Sequence, residues 1–512
     1  MKKNILALAL ILALLAGAVL LLSNIEGRAP ASAAASAPSS FQPSADRGIS
    51  LAVETQTPPA QTESEKTPRY IFVMIGDGMG KGQRGLAREY LKLKTGDKSA
   101  ELAMDTLPVK GEVSTASANS NVTDSAASGT ALSTGCKTNN GMLAVSPDGE
   151  KLETIMEKAK EQGMSTGVIT TTSVTDATPA AFCVHCDSRA LENDIAEAYL
   201  KSGIDFIAGG GACHFLPASY SGGDDTWGDP LYSARTDSRD LFGEFAGEGY
   251  KTFCGAEGWR EFKEYGPAPG SKVFAAFSNI SLPFELDRIN EGMDSPTLSQ
   301  ITQKAISSLE SDPDGFVLMV EGARIDHACH YNDAASAAYE TLAFDDAVKT
   351  AYDFYAQHPE ETLILVTADH ETGGLGLKSD PDLSVLDGVR VSVQGRLKFA
   401  YNGDRAAFYK YISDNLGLKS LSASEKKKIK TALDFADKKK TDRNLYSSYD
   451  PPAIAACGIV SDRAGIGWTA FSHTGTNVPL TAAGWESARF SGLHGNDGIG
   501  RLLFEIVGLK RE

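Results

Sequence analysis

Short β-branched or aromatic runs, each closed by a Gly- or Asp-bearing turn and followed by a helical stretch, recur along the chain from Tyr70 onward. Tyr70–Ile75, Ser165–Thr170, Asp205–Ala208, Phe316–Val320 and Thr362–Thr367 carry the near-continuous apolar pattern of strands buried on both faces. Amphipathic spacing predicts helices over Lys151–Gln162, Leu191–Ser202 and Ala334–Gln357. Strands alternating with helices predict an α/β fold, with a largely parallel central sheet covered by helices on both faces. Ligands of such sheets bind beyond the carboxyl ends of the strands. Predicted strands run into acidic residues there, at Asp77, at Glu321 and at Asp369-His370.

Two regions break the rhythm. Phe215–Gly270, rich in Gly, Asp and aromatics, reads as a loop-dominated excursion, and Lys378–Cys457 as an insertion over the active face. Within the insertion, Ser422–Lys440 is a lysine-rich helical stretch whose charges read as a solvated helix face. At the other end of the chain, Lys2 and Lys3 precede an apolar run of 18 residues, Ile5–Leu22. Residues 1–28 read as a signal peptide or an uncleaved N-terminal membrane anchor, since the run is long for the first and short for the second. Either way the rest of the chain is expected to be exported, to a periplasmic or other extracytoplasmic location. Residues 29–68, rich in Ala, Ser, Pro, Thr and Gln, hold too little apolar surface to offset ordering entropy and read as a disordered linker. The folded domain is expected over 69–512.

Composition narrows the function. The 512 residues carry 49 basic and 66 acidic side chains, a net charge of −17 that argues against generic nucleic-acid binding. Anionic substrates stay open, because bound cations can overturn the local field. Seven cysteines are too few for a disulfide scaffold. Cys183 with Cys186 and Cys213 with Cys254 are candidate pairs in an exported protein, and Cys329 is a candidate for the thiol left over. Asp224, Asp225 and Asp229 form an acidic loop without the spacing of a calcium site.

The chemistry gathers in a few segments. Ile75-Gly76-Asp77-Gly78-Met79-Gly80 ends a strand in a glycine turn and leaves an acid at the sheet rim. In Thr123-Asp124-Ser125-Ala126-Ala127-Ser128, Ser125 stands where a helix begins, as a cap or as a nucleophile facing a phosphate at the helix N-terminus. Asp326 and His330, at i and i+4, share one face of a helical turn and offer the O and N ligands that zinc takes. Asp369-His370 ends another strand, and His473 sits between Gly-rich turns. Four of the eight histidines, His327, His330, His370 and His473, thus stand beside carboxylates or turns, which marks a metal site. His185, His214, His358 and His494 lack a carboxylate partner in any motif and read as surface or core residues.

These motifs, with Asp176-Ala177-Thr178-Pro179, Lys137-Thr138-Asn139-Asn140-Gly141 and Gly209-Gly210-Gly211, resemble the alkaline phosphatase family, in the family's order and over nearly all of residues 69–512. The resemblance implies two Zn2+ and one Mg2+ per chain. One zinc would be held by Asp326, His330 and His473, and the second by Asp77, Asp369 and His370 with Ser125. The magnesium would be held by Asp77, Thr178 and Glu321. It implies that Ser125 is the nucleophile and is transiently phosphorylated, and that Arg189 clamps the phosphoryl group as only a planar guanidinium can. Phosphomonoesters of broad range would be the substrates, inorganic phosphate the product, the optimum alkaline and the assembly a homodimer. Related phosphodiesterases, sulfatases and mutases share the metal ligands but differ around the nucleophile, where Ser125 and Arg189 favour monoesters. The family pairs Asp with Lys or His with His at the positions of Asp176 and His327. The mixed pair here is expected to keep magnesium and to hold phosphate less firmly than a lysine would.

Overall fold

The computed structural model describes residues 67–509 apart from 221, 223, 224 and 228. The leader 1–28, the linker up to residue 66 and Asp224 lie outside the described residues, and no described helix is long and apolar enough to cross a membrane. The central sheet has ten strands: β1 (Tyr70–Ile75), β2 (Val109–Ser114), β3 (Ser165–Ser173), β4 (Phe206–Gly210), β5 (Tyr250–Cys254), β6 (Lys272–Ala276), β7 (Phe316–Glu321), β8 (Thr362–Thr367), β9 (Val478–Gly484) and β10 (Gly492–Gly495). Their spatial order is β10-β2-β9-β8-β1-β7-β3-β4-β6-β5. Only β9 runs antiparallel to its neighbours, β8 and β2; every other pairing in the sheet is parallel.

The middle of the sheet is its driest part. Every side chain of β1, β7 and β8 is buried, as their unbroken apolar runs require of strands covered on both faces. Two groups of helices flank it. α1 (Lys81–Thr95) packs with α5 (Ala334–Tyr355), whereas α2 (Ser125–Thr134) packs with α3 (Ala177–Cys183) and α8 (Asn496–Val507). The short α4 (Arg324–His330) follows β7 and packs on α5.

The structure revises several sequence expectations. The helix expected over Lys151–Gln162 starts at Ile155, because Thr154 accepts from the Glu157 amide while the Glu157 side chain accepts from the Thr154 amide. Phe215–Gly270 is loop-rich chiefly up to Asp240; beyond it lie the helices Leu241–Gly247 and Gly255–Glu264 and the edge strand β5. The expected boundary at Cys457 falls inside a helix, Pro451–Ala464. The stretch from Lys378 also contains α6 (Arg405–Asn415) and α7 (Ala423–Asp437), and the α7 lysines are exposed. All seven cysteines are free thiols, so neither candidate disulfide is present. Cys183 is buried at the end of α3, and Cys186 instead donates to the Ser188 carbonyl. His185 and His214 do have carboxylate partners, Glu157 and Glu192, each at 2.9 Å.

Candidate metal centre

Parallel strands aim their carboxyl ends at one rim, and four of them deliver the site. β1 ends two residues before Asp77, β7 ends on Glu321, and β8 is followed by Ala368 and then Asp369-His370. β3 leads to Asp176, whose side chain accepts from the Ala177 amide and caps α3, so that Thr178 falls in the first turn. The turn after β1 needs glycine at position 78, where φ is +70° and a Cβ would lie 2.9 Å from the Asp326 Cα. α2 begins at Ser125 because Asp124 accepts from the Ala127 amide at 3.0 Å.

The imidazoles meet at the centre. Ser125 Oγ lies 3.1 Å from His370 Nε2, which is 3.2 Å from Asp369 Oδ2 and 3.5 Å from Asp77 Oδ1. The His370 ring stacks on His473 with centroids 3.5 Å apart. His330 Nδ1 donates to the Phe471 carbonyl and His473 Nδ1 to the Thr123 carbonyl, since a carbonyl can only accept. Both rings therefore turn Nε2 inward, 3.2 Å from each other and close to Asp326, at 3.3 Å for His330 and 3.7 Å for His473. Two ligand triplets each gather within 4.8 Å: Asp77, Asp369 and His370, and Asp326, His370 and His473. His370 takes the place expected for His330 in the tighter grouping, with His330 immediately beside it.

The arrangement asks for cations. Asp77 Oδ1, Asp369 Oδ2 and Thr178 Oγ1 are buried without a hydrogen-bond partner, although buried polar atoms are ordinarily paired. Burial raises the Asp77 carboxyl well above the usual range, and Asp369, Asp326 and Glu321 push it further. Asp369 is pushed up in the same way by burial and then by Asp326. Glu321 is raised chiefly by burial, against the Thr170 hydroxyl that donates to it. Thr178 stands near enough to Glu321 to favour its charged form. Asp326 is the exception: burial opposes its charge, but His330 and His473 hold it well below the usual range. A set of carboxylate and imidazole donors suits zinc, and the oxygen-only set of Asp77, Thr178 and Glu321 suits magnesium.

Arg189 completes one wall. Its Nη1 donates to Asp124 at 3.2 Å and its Nη2 to Asp176 at 2.8 Å, which ties it to the start of α2. The Lys137–Gly141 segment braces the same spot, the Gly141 amide donating to Asp124. Burial opposes charge on Asp176, yet Arg189 and then His327 hold its carboxyl below the usual range. His327 is half-buried and pushed down to about 4 by burial and by Arg324, whose Nη1 donates to His327 Nδ1 at 3.0 Å. His327 is thus neutral near pH 7.

Two residues near the candidate metal ligands escaped the sequence reasoning. Thr372 Oγ1 donates to Asp326 Oδ1 at 2.5 Å and lies 3.2 Å from His370 Nδ1, tying the two triplets together. Glu371 is buried and accepts from Gln83, Gly374, Leu375 and Thr474, which fixes the loop after β8 against the loop of His473. Their adjacency to His370 was the available signal. Arg324 also escaped; it bridges His327 to Gln394 of the stretch after Lys378.

The family model for alkaline phosphatase matches residues 68–509. Alkaline phosphatase 3 of Bacillus subtilis is 33% identical over 447 residues, covering 85% of this chain and 88% of that protein. The repressible alkaline phosphatase of Saccharomyces cerevisiae is 32% identical over 478 residues, 88% of this chain and 83% of its own length. The crystal structure of Thermus thermophilus alkaline phosphatase is similar with a TM-score of 0.74 and 29% identity, over 88% of this chain and 93% of that one. The cold-active enzyme of Shewanella sp. is similar with a TM-score of 0.71 and 32% identity, over 86% and 99%.

Proposed function

The chain belongs to the alkaline phosphatase family, and on that premise we propose that it hydrolyses a broad range of phosphomonoesters through a phosphoserine at Ser125. The observation that carries this is Ser125 Oγ, 3.1 Å from His370 Nε2 at the start of α2, beside the orphaned oxygens of Asp77 and Asp369. Zinc at Asp326, His330 and His473 and at Asp77, Asp369 and His370, with magnesium at Asp77, Thr178 and Glu321, would ease deprotonation of the serine and neutralise charge on the departing alcohol. The chain's own groups do the positioning. The amides opening α2 face the phosphoryl group. Arg189, steered by Asp124 and Asp176, grips two of its oxygens. Ser125 Oγ attacks phosphorus in line with the leaving alkoxide, and water then displaces the serine, so that two inversions retain configuration. An alkaline optimum follows from the need to remove the serine proton. Neutral His327 contributes no positive charge toward bound phosphate, which supports faster product release than a lysine would give.

Ser125 followed by Ala126-Ala127-Ser128, with Arg189 alongside, supports monoesters over diesters and sulfates. Acid-quenched protein incubated with an aryl phosphate should carry phosphate on Ser125 in a mapped peptide. The aryl phosphate should be turned over far faster than the matching aryl phosphodiester or aryl sulfate. A phosphate-free Ser125 during turnover rejects the intermediate, and a preferred diester or sulfate rejects the substrate class. The Lys2–Leu22 segment supports export with an N-terminal signal or anchor, which cell fractionation tests. Family membership alone supports a homodimer, which a light-scattering mass tests.

A further inference from the structure

A cleft of about 770 Å³ opens between α6 and α7, floored by Tyr409 and Leu418 and rimmed by Lys419, Lys426, Lys427 and Lys430. Among the described residues no carboxylate lines it. The acids on the elements around it are already engaged. Asp414 pairs with Lys410 at 2.5 Å, Glu425 with Arg463 at 2.8 Å and Asp462 with Lys428 at 2.6 Å. Asp434 pairs with Lys430 at 2.8 Å and with Arg405 at 2.6 Å, and Asp437 with Arg405 at 2.5 Å. Lys419, Lys426 and Lys427 are exposed and have no ion pair among the described residues. A chain of net charge −17 therefore presents here three ammonium groups without a carboxylate partner over an apolar floor.

We propose that this face docks the protein on an anionic bilayer surface. Lysines on long flexible stems are point charges suited to a diffuse layer of headgroups, whereas a discrete ligand favours the fixed fork of arginine. The screening length of about 8 Å at physiological salt means that a nearby surface responds to these lysines rather than to the distant net charge. Tyr401, whose hydroxyl donates to Asp437 at the end of α7, stands two residues after Phe399, a ring that is 71% exposed and of the type that enters the headgroup layer. The 66 residues preceding the described part include the apolar run Ile5–Leu22. A weak single anchor is reinforced by a polybasic patch as a second signal.

Each lysine near an anionic surface is worth about fivefold in partitioning, so the three together give on the order of 100-fold. The test is sedimentation of the full-length protein with phosphatidylcholine vesicles, with and without a one-third share of phosphatidylglycerol. The comparison of lipids cancels any uncharged contribution from the N-terminal run. The unsubstituted chain is expected to favour the anionic vesicles by about 100-fold, and a K419E/K426E/K427E variant to lose that preference while melting as before. A control, K98E/K151E/K201E, reverses three exposed lysines on other parts of the chain and is expected to keep most of it. The proposal is overturned if the first variant keeps its preference, if both variants lose it equally, or if an acidic peptide binds the cleft while the vesicles do not.

Discussion

Truncation of Arg189 to alanine tests the phosphate clamp most sharply. The guanidinium is held by two carboxylates, Asp124 at 3.2 Å and Asp176 at 2.8 Å, and its own amide donates to the Gly141 carbonyl at 2.8 Å. Its side chain keeps 34% of its exposure, so its outer N–H groups can reach a ligand without moving the network. A hydrogen bond to a charged group is worth about 1.5–3 kcal/mol, and partial exposure places each of two such bonds near the lower end. Their sum of about 3 kcal/mol corresponds to a factor on the order of 100 in binding. The same phosphoryl oxygens are gripped before and during transfer, so the loss should appear in KM and in product inhibition more than in kcat. R189A is therefore expected to raise both KM for an aryl phosphate and the inhibition constant of inorganic phosphate about 100-fold. R189K keeps the charge without the fork and should lose about tenfold. Steady-state kinetics at several phosphate concentrations give both constants. An R189A protein with KM and phosphate inhibition within about twofold of wild type would refute the clamp.

Other substitutions probe the supports of the site. G78A forces a side chain into φ +70° and sets its Cβ 2.9 Å from Asp326 Cα; a cost of at least about 2 kcal/mol is expected, with lower thermal stability and lost metal retention, and an unchanged melting curve would contradict it. T372V removes the hydroxyl that binds Asp326 and approaches His370; metal affinity in a chelator competition should fall about 10–100-fold, and unchanged retention would deny Thr372 its linking role. Asp287, bonded by the Ser392 amide and hydroxyl, is pushed up to about 6 chiefly by burial, so the folded chain binds its proton more tightly than the unfolded one. Stability present below pH 4 should then be lost as pH rises toward 6, by on the order of 3 kcal/mol, and D287N should flatten the fall in urea midpoint over that interval; equal slopes in both proteins would reject the assignment.

The centre of the sheet could be read from the chain because its strands are dry on both sides. β1 matches its sequence bounds residue for residue, its run ending on Gly76, and β8 does too, its apolar centre framed by Thr362 and Thr367. The flanks were less legible. β2 is mostly half-buried, with Lys110 exposed and Val113 buried, and β5, Tyr-Lys-Thr-Phe-Cys, mixes charge with aromatics as an edge strand does, so neither stands out from loop. The metal-ligand candidates were legible because acids and histidines concentrated at strand ends and turns are rare without a task. Thr372 and Glu371 were not, because their adjacency to His370 marks the neighbourhood but not the partners that folding supplies. The disulfide candidates failed for a related reason: spacing along the chain says nothing of where a thiol points, and Cys186 turns toward a carbonyl.

Metal content joined to turnover tests the central claim most directly. Native mass spectrometry of the purified chain should find divalent ions bound in the folded protein, in full in S125A, which should turn over no aryl phosphate, and depleted in D77N, which loses the carboxylate common to the Asp77–Asp369–His370 and Asp77–Thr178–Glu321 sets. Folded wild-type protein that binds no divalent ion, or D77N that keeps its full complement, would contradict a cation cluster at these residues.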